Sequence, residues 1–158
     1  MDFTDILIPI RKVVRAINLD SKRIQKETGL SIPQLLTLIF ISRSENYQCS
    51  QLELRNYLQL NSSTMTGIVG RLEKKGFVAK LPKKEDKRIT YLTLTSAGSQ
   101  VLEHAPPLLQ ERLAKQLTKL SPGQVDQIKN GLDLLVKVMG AESIDASPIL
   151  SNSDSSNQ

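Results

Sequence analysis

The sequence predicts a mainly α chain carrying one small β-hairpin. Apolar residues recur at helical spacing through most of the 158 residues. Several of those stretches open with a capping signature, a Ser or Asn three residues ahead of a Gln, Glu or helical run. One pair of short runs, FVAKL and ITYLTL, is instead enriched in β-branched, aromatic and apolar residues and reads as two strands.

Composition narrows the functional classes. A net charge of +5 with only 23% charged residues describes a localised basic surface, not a disordered polycation. No run of about 18 apolar residues exists, so no membrane span is expected. The start, MDFTDILIPIRK, places acids before a short apolar segment, the reverse of a signal peptide, and a cytoplasmic location is expected. Cys49 is the only cysteine, which excludes an internal disulfide and a multi-cysteine zinc site. His104 is the only histidine, and there is neither a Gly-rich phosphate loop nor an HExxH pair. The chain is therefore expected to need no metal or cofactor and not to be an enzyme. Aromatic content of 4% without Trp argues against a stacking platform for single strands.

Residues 3–27 carry Phe3, Ile6, Ile10, Val13, Ile17 and Ile24 at alternating spacings of three and four, with Asp20 filling the missing step. Such a seam packs against another helix. Pro9 is expected at a first turn or a kink, because it has no N–H to donate. The cations of this helix sit off the seam, either as a solvated face or as phosphate contacts. Gly29 is a suitable helix stop. Ser31 to Gln34, with Pro33 between them, then opens a helix through about Ser42 that is apolar nearly all round and is expected to be the buried spine. Cys49, a small structural residue or a redox switch, precedes a second capping box, Ser50 to Glu53, and a short helix with Leu52, Leu54 and Leu58.

A tight turn at 59–61 leads into a further helix with Asn61 as N-cap. Met65, Ile68, Val69 and Leu72 form its buried stripe, and Ser63, Gly67, Gly70 and Lys74 lie opposite, flanked by Thr66 and Arg71. An exposed helical Gly costs roughly 1 kcal/mol relative to Ala. Two of them, among hydroxyls and cations, suit a backbone that approaches phosphates and base edges in a major groove. Beyond Gly76 come the two strands, joined by PKKEDKR. From Arg71 to Arg88 eight cations face three acids, a local charge equal to the +5 of the whole chain. Helix, turn, helix and basic hairpin make a winged helix-turn-helix.

After Gly98 a helical stretch is broken by Pro106 and Pro107. Ser121, Pro122 and Gln124 open a last helix whose seam is Val125, Ile128, Leu132, Leu135 and Met139. Seams at both ends of the chain suggest an intertwined dimer, an ordinary intrachain core being the alternative. Residues 141–158 hold three acids and no Lys or Arg, and SNSDSSNQ is expected to be disordered. IDASPIL can dock through Ile144, Ile149 and Leu150.

The order helix, helix, strand, DKR wing, strand, LTSAG resembles the MarR family of bacterial transcription regulators. The family's Asp-x-Arg wing motif is here Asp86, Lys87 and Arg88, and its Leu-Thr-x-x-Gly is Leu94, Thr95 and Gly98. The resemblance implies winged helix-turn-helix architecture with N- and C-terminal dimerisation helices. Residues 1–30 and 99–140 would supply those helices, 31–98 the DNA-binding lobe, and 141–158 a largely disordered tail. It implies a homodimer placing two recognition helices in successive major grooves, about 34 Å apart on a pseudo-palindrome. Ser62, Ser63, Thr64, Thr66 and Arg71 match the family's groove and phosphate contacts. Arg88 matches the wing arginine that enters the minor groove. Asp86 would hold the wing by a charge-assisted bond to Arg88 or Arg71, and Lys83, Lys84 and Lys87 would attract phosphates, a solvated turn being the other reading of the lysines.

Lys87 and the glycines at 67 and 70 depart from the commoner family pattern and imply more reliance on DNA shape. The family further implies a small-molecule effector and, most often, repression. GLSIPQLLTL, APPLLQERL and IDASPIL resemble the branch that regulates ectoine and other compatible-solute genes, which implies an osmotic stress response. A winged helix can also serve as a protein–protein interaction module without specific DNA binding, and a basic wing weighs against that role. His104 has no motif tying it to a nucleophile.

Overall fold

In a computed structural model of the chain, describing residues 1–82 and 88–146, seven helices and three strands follow one another. They are α1 (Thr4–Thr28), α2 (Ile32–Arg43), β1 (Gln48–Ser50), α3 (Gln51–Leu58), α4 (Ser62–Lys74), β2 (Val78–Lys80), β3 (Tyr91–Leu94), α5 (Ser96–His104), α6 (Leu109–Leu117) and α7 (Pro122–Val138). A 3-10 turn, Glu45–Tyr47, precedes β1. The described residues divide into two compact units, Met1–Pro106 and Pro107–Ala146.

Within the first unit α2 is the spine. Ser31 accepts from the Gln34 N–H at 3.3 Å and the Gln34 side chain accepts from the Ser31 N–H at 3.2 Å, so both groups that start the helix are satisfied without water. That allows a buried start, and Leu35, Leu38 and Ile41 are fully enclosed. α2 touches α1, α3, α4, α5, β1 and β3. The helix apolar nearly all round is therefore central, as its pattern requires.

α1 ends where Gly29 takes φ 70°, the left-handed conformation that costs glycine nothing. Pro9 does not take the first-turn position. It lies inside the continuous helix, where its ring deprives the Asp5 carbonyl of the usual donor. The seam is half in and half out. Ile24 is buried and Asp20, 4% exposed, pairs with Arg23 at 2.9 Å, whereas Phe3, Ile6 and Val13 are 53%, 53% and 59% exposed.

The expected two-stranded hairpin is a three-stranded antiparallel sheet in the order β1-β3-β2. β1 comes from before α3 and pairs Cys49 with Leu92, while β2 pairs Val78 with Leu94. The chain reaches β1 through Asn46 and Tyr47, both left-handed at φ 54° and 56°, and Thr93 Oγ1 donates to the Tyr47 carbonyl at 3.2 Å. Cys49, Val78 and Leu92 bury the inner face of the sheet.

The LTSAG stretch is a three-way joint. Thr95 caps α5 by accepting from the Gly98 N–H at 3.1 Å, and its hydroxyl donates to the Gly76 carbonyl at 2.6 Å. The Thr95 N–H reaches the Phe77 carbonyl at 3.1 Å. A Cβ at Gly98 would lie 2.3 Å from that same carbonyl oxygen. The exit of α4, the start of β2 and the start of α5 are thus fixed together.

α5 stops at His104 and α6 starts at Leu109, so Pro106 and Pro107 interrupt the helix as expected. In the second unit the Ser121 and Gln124 box opens α7 with Pro122 in its first turn. Its apolar side chains are open: Ile128 is 41% exposed, Leu132 55% and Leu134 62%. Ile144 is 71% exposed, which does not fit the expected docking of IDASPIL through it. The remainder of that expectation, with Ile149, Leu150 and SNSDSSNQ, lies outside the described residues.

Candidate nucleic-acid interface

α3 and α4 are joined by a turn that Arg55 holds. Gln59 takes φ 55° and its N–H bonds to the Arg55 carbonyl, and the Leu60 N–H reaches the same oxygen at 3.3 Å. Asn61 then caps α4, its Oδ1 accepting from the Thr64 N–H at 2.8 Å and from the Ser63 hydroxyl at 3.0 Å. Met65, Ile68, Val69 and Leu72 are buried as the spacing requires. Ser62, Ser63, Thr66, Gly70 and Lys74 are exposed, so the polar face is open.

Two expectations change on this face. Thr64 is only 7% exposed, because it lies one turn before Ile68 on the buried stripe, and its hydroxyl is withdrawn from the open surface. Gly67 is not simply bare backbone. A Cβ there would stand 3.1 Å from Arg71 Nη1, so the missing side chain makes room for the Arg71 guanidinium folded back along the helix. Gly70 meets nothing within 4 Å and remains open.

The hydroxyls are oriented by their partners. Ser63 donates to Asn61 and Thr66 donates to the Ser62 carbonyl at 2.8 Å, which leaves their lone pairs facing outward. Ser62 accepts from Arg55 Nη1 at 2.7 Å, which leaves its proton to donate. The face therefore offers acceptors and a donor at adjacent positions, suited to base edges of opposite polarity.

The wing root completes the site. The Gln51 N–H donates to the Thr90 carbonyl at 2.8 Å, tying the start of α3 to the chain leading into β3. Between them lies a cleft of about 310 Å³ lined by Gln51, Arg55, Ser62, Thr66, Arg88 and Thr90 together with the apolar Leu52, Met65 and Ile89. Among the described residues, two arginines and no carboxylate line it. The acid on α3, Glu53, is turned to its own helix start by accepting from the Ser50 N–H at 2.7 Å. Glu73 on α4 sits 3.9 Å from Lys80. Lys83, Lys84, Asp86 and Lys87 fall outside the described residues. Arg55 and Gln51 were not legible as site residues, because the turn at Gln59 and the wing root bring them there.

Cys49 is 3% exposed in β1, and burial, with the nearby Glu53 carboxylate, raises its thiol to about 11 from an ordinary 9.0. The thiolate that oxidants and electrophiles attack is thus disfavoured, which supports the structural reading. A shift of about two units predicts alkylation of Cys49 in the folded protein at pH 8 about 100-fold slower than of a free thiol, measured by mass spectrometry after iodoacetamide treatment. Between about pH 9 and 11 the unfolded thiol has lost its proton while the folded one keeps it, so stability falls as pH rises.

A second cleft, about 500 Å³, is lined by Glu27, Thr28, Phe77, Gln100, Glu103 and His104. The His104 ring lies 2.9 Å from the Gln100 carbonyl of its own helix. Among the described residues no group of His, Cys, Asp and Glu could hold a metal ion, and no helix is long and apolar enough to cross a membrane.

A helix-turn-helix with an open hydroxyl face, flanked by a basic wing root, defines a winged-helix protein. The family model for MarR matches residues 30–90. The transcriptional regulator BilQ of Clostridium symbiosum is 31% identical over 75% of this chain and 80% of its own. The transcriptional repressor IacR of Pseudomonas putida is 27% identical over 72% and 67%. The fold matches that of Sco3205, a MarR family transcriptional regulator from Streptomyces coelicolor solved in complex with DNA, with a TM-score of 0.63 and 23% identity over 96% of this chain and 100% of that one. The chain belongs to the MarR family of winged-helix transcriptional regulators, which are not enzymes.

Proposed function

We propose that this protein represses transcription by binding double-stranded DNA sequence-specifically, as a homodimer on a pseudo-palindromic operator, in the cytoplasm. The observation that carries this is the outward face of α4, whose oriented hydroxyls stand beside a cleft lined by Arg55 and Arg88. Ser62, Ser63 and Thr66 read the major groove and Arg71 neutralises phosphate. Arg88 enters the minor groove, with Asp86 positioning the wing and Lys83, Lys84 and Lys87 adding sequence-independent attraction. Thr64 takes a structural part in place of a contact. The description of IacR as a repressor supports repression as the sign.

Residues 31–98 act as the DNA-binding lobe and 1–30 with 99–140 as dimerisation helices. The half-exposed apolar residues of α1 and α7 support that division, since side chains of this size gain about 1.5 to 3 kcal/mol each on burial. A small effector would act from the 500 Å³ cleft where the end of α1, Phe77 and α5 meet. It weakens DNA binding only by preferring a conformer whose recognition helices do not match the groove spacing. The resemblance to compatible-solute regulators makes osmolytes the first effectors, and osmotic-stress genes the first targets, to examine.

Selection from random duplex DNA with the full-length protein tests the function. An enriched pseudo-palindrome with half-sites about one helical turn apart is expected. A pool that yields no motif would remove sequence-specific binding and favour the protein-interaction role.

A further inference from the structure

We propose that Arg55, on the helix before the recognition helix, seats a DNA backbone phosphate in the cleft between α3, α4 and the wing root. The inference rests on the DNA-binding function proposed above and extends it to a residue outside α4 and the wing. Arg55 is half-buried, and one guanidinium nitrogen is committed to Ser62 Oγ at 2.7 Å. A guanidinium has five N–H donors in a planar fork, so this one bond leaves further donors for an anion in the cleft that Arg55 lines. Arg88 borders the same cleft, as do Gln51 and Thr66, and among the described residues no carboxylate does. The Glu53 carboxylate, the nearest acid in sequence, is held by the Ser50 N–H. An anion entering here meets two cations and hydroxyl and amide groups at the N-terminal end of α4, where the helix dipole adds to the attraction. The anion that a recognition helix brings to this edge is the phosphodiester flanking the groove it reads.

The bond to Ser62 gives Arg55 a second effect. By donating to the Ser62 oxygen it turns that hydroxyl outward as a donor, opposite in sense to Ser63 and Thr66. Arg55 thus anchors the backbone and sets the polarity of the first residue of the reading face.

A phosphate seat is indifferent to sequence, so the test needs no operator. Binding of the full-length protein to a short mixed-sequence duplex is followed by fluorescence anisotropy across a salt series for wild type, Arg55→Gln, Arg55→Lys, Ser62→Ala and Arg88→Ala, with the melting temperature of each. Gln keeps a donor for Ser62 but no charge, and Lys keeps the charge without the fork. Arg55→Gln is expected to lower affinity roughly tenfold and make the salt slope shallower by about one. Arg55→Lys and Ser62→Ala are expected to keep the wild-type slope. If Gln and Lys give the same slope as wild type while Arg88→Ala weakens binding, Arg55 is a clip between α3 and α4 and the seat is refuted, with the DNA-binding function intact. If Ser62→Ala reproduces the full effect of Arg55→Gln, the seat is refuted likewise. A wild-type protein that binds no duplex at any salt would overturn the inference together with the function it rests on.

Discussion

Gly98→Ala is expected to destabilise the protein by about 3 kcal/mol, among the largest effects of any single added methyl group in this fold. The new Cβ would fall 2.3 Å from the Phe77 carbonyl oxygen and 2.8 Å from Leu94 Cδ1. The leucine side chain can turn away. The carbonyl cannot, because it accepts from the Thr95 N–H while the neighbouring Gly76 carbonyl accepts from the Thr95 hydroxyl. Relieving the clash means separating α5 from the exit of α4 and losing those bonds with it. Urea unfolding measures the effect, and a loss below about 0.5 kcal/mol would show that the joint is looser than its geometry. Thr95→Ala removes the cap and the bond to Gly76 without a clash and should cost less, about 1 to 2 kcal/mol.

Leu132→Asp is expected to separate the proposed dimer. Leu132 is 55% exposed in its unit, between Ile128 at 41% and Met139 at 63% along the seam of α7. Leu134 and Val138, off that seam, are 62% and 76% exposed, so α7 carries more apolar surface than one partner helix would cover. In a twofold dimer each substitution occurs twice. At about 1.5 to 3 kcal/mol per lost leucine, the pair weakens association by about 3 to 6 kcal/mol, two to four orders of magnitude in the dissociation constant. Sedimentation at micromolar protein should show dimer for wild type and monomer for the variant. A variant that stays fully dimeric would place the interface elsewhere.

Local signals in the sequence were legible because their physics is local. The boxes at Ser31, Ser50 and Ser121 and the Asn61 cap involve residues three apart, and each forms as read. Gly29 and the Pro106–Pro107 break depend only on backbone freedom and a missing donor. The α4 stripe followed from helical spacing. What escaped was set at long range. β1 is three residues of modest strand propensity, held by Leu92, which lies 43 positions after its partner Cys49. Arg55 joins the site because a left-handed turn at Gln59 folds Ser62 back against it. Gly67 was legible as unusual, yet the atoms it accommodates belong to Arg71 on its own helix. Ser63, Thr66, Gly70 and Lys74 lie open on α4 as its spacing predicts, while Gly67 and Arg71 are half-buried and Thr64, matched to the family's contacts, is buried.

The most direct measurement is the affinity of wild type and Arg88→Ala for the DNA upstream of the protein's own gene, by fluorescence anisotropy with unlabelled competitor across a salt series. Arg88 is exposed and lines the cleft, outside the packed core. Wild type is expected to bind saturably, to survive competitor and to weaken steeply with salt. The variant should lose about 1 to 3 kcal/mol of that affinity. Equal, weak binding of both proteins, no stronger than to unrelated DNA and with no motif recovered from a random pool, would contradict the assignment of a sequence-reading winged helix.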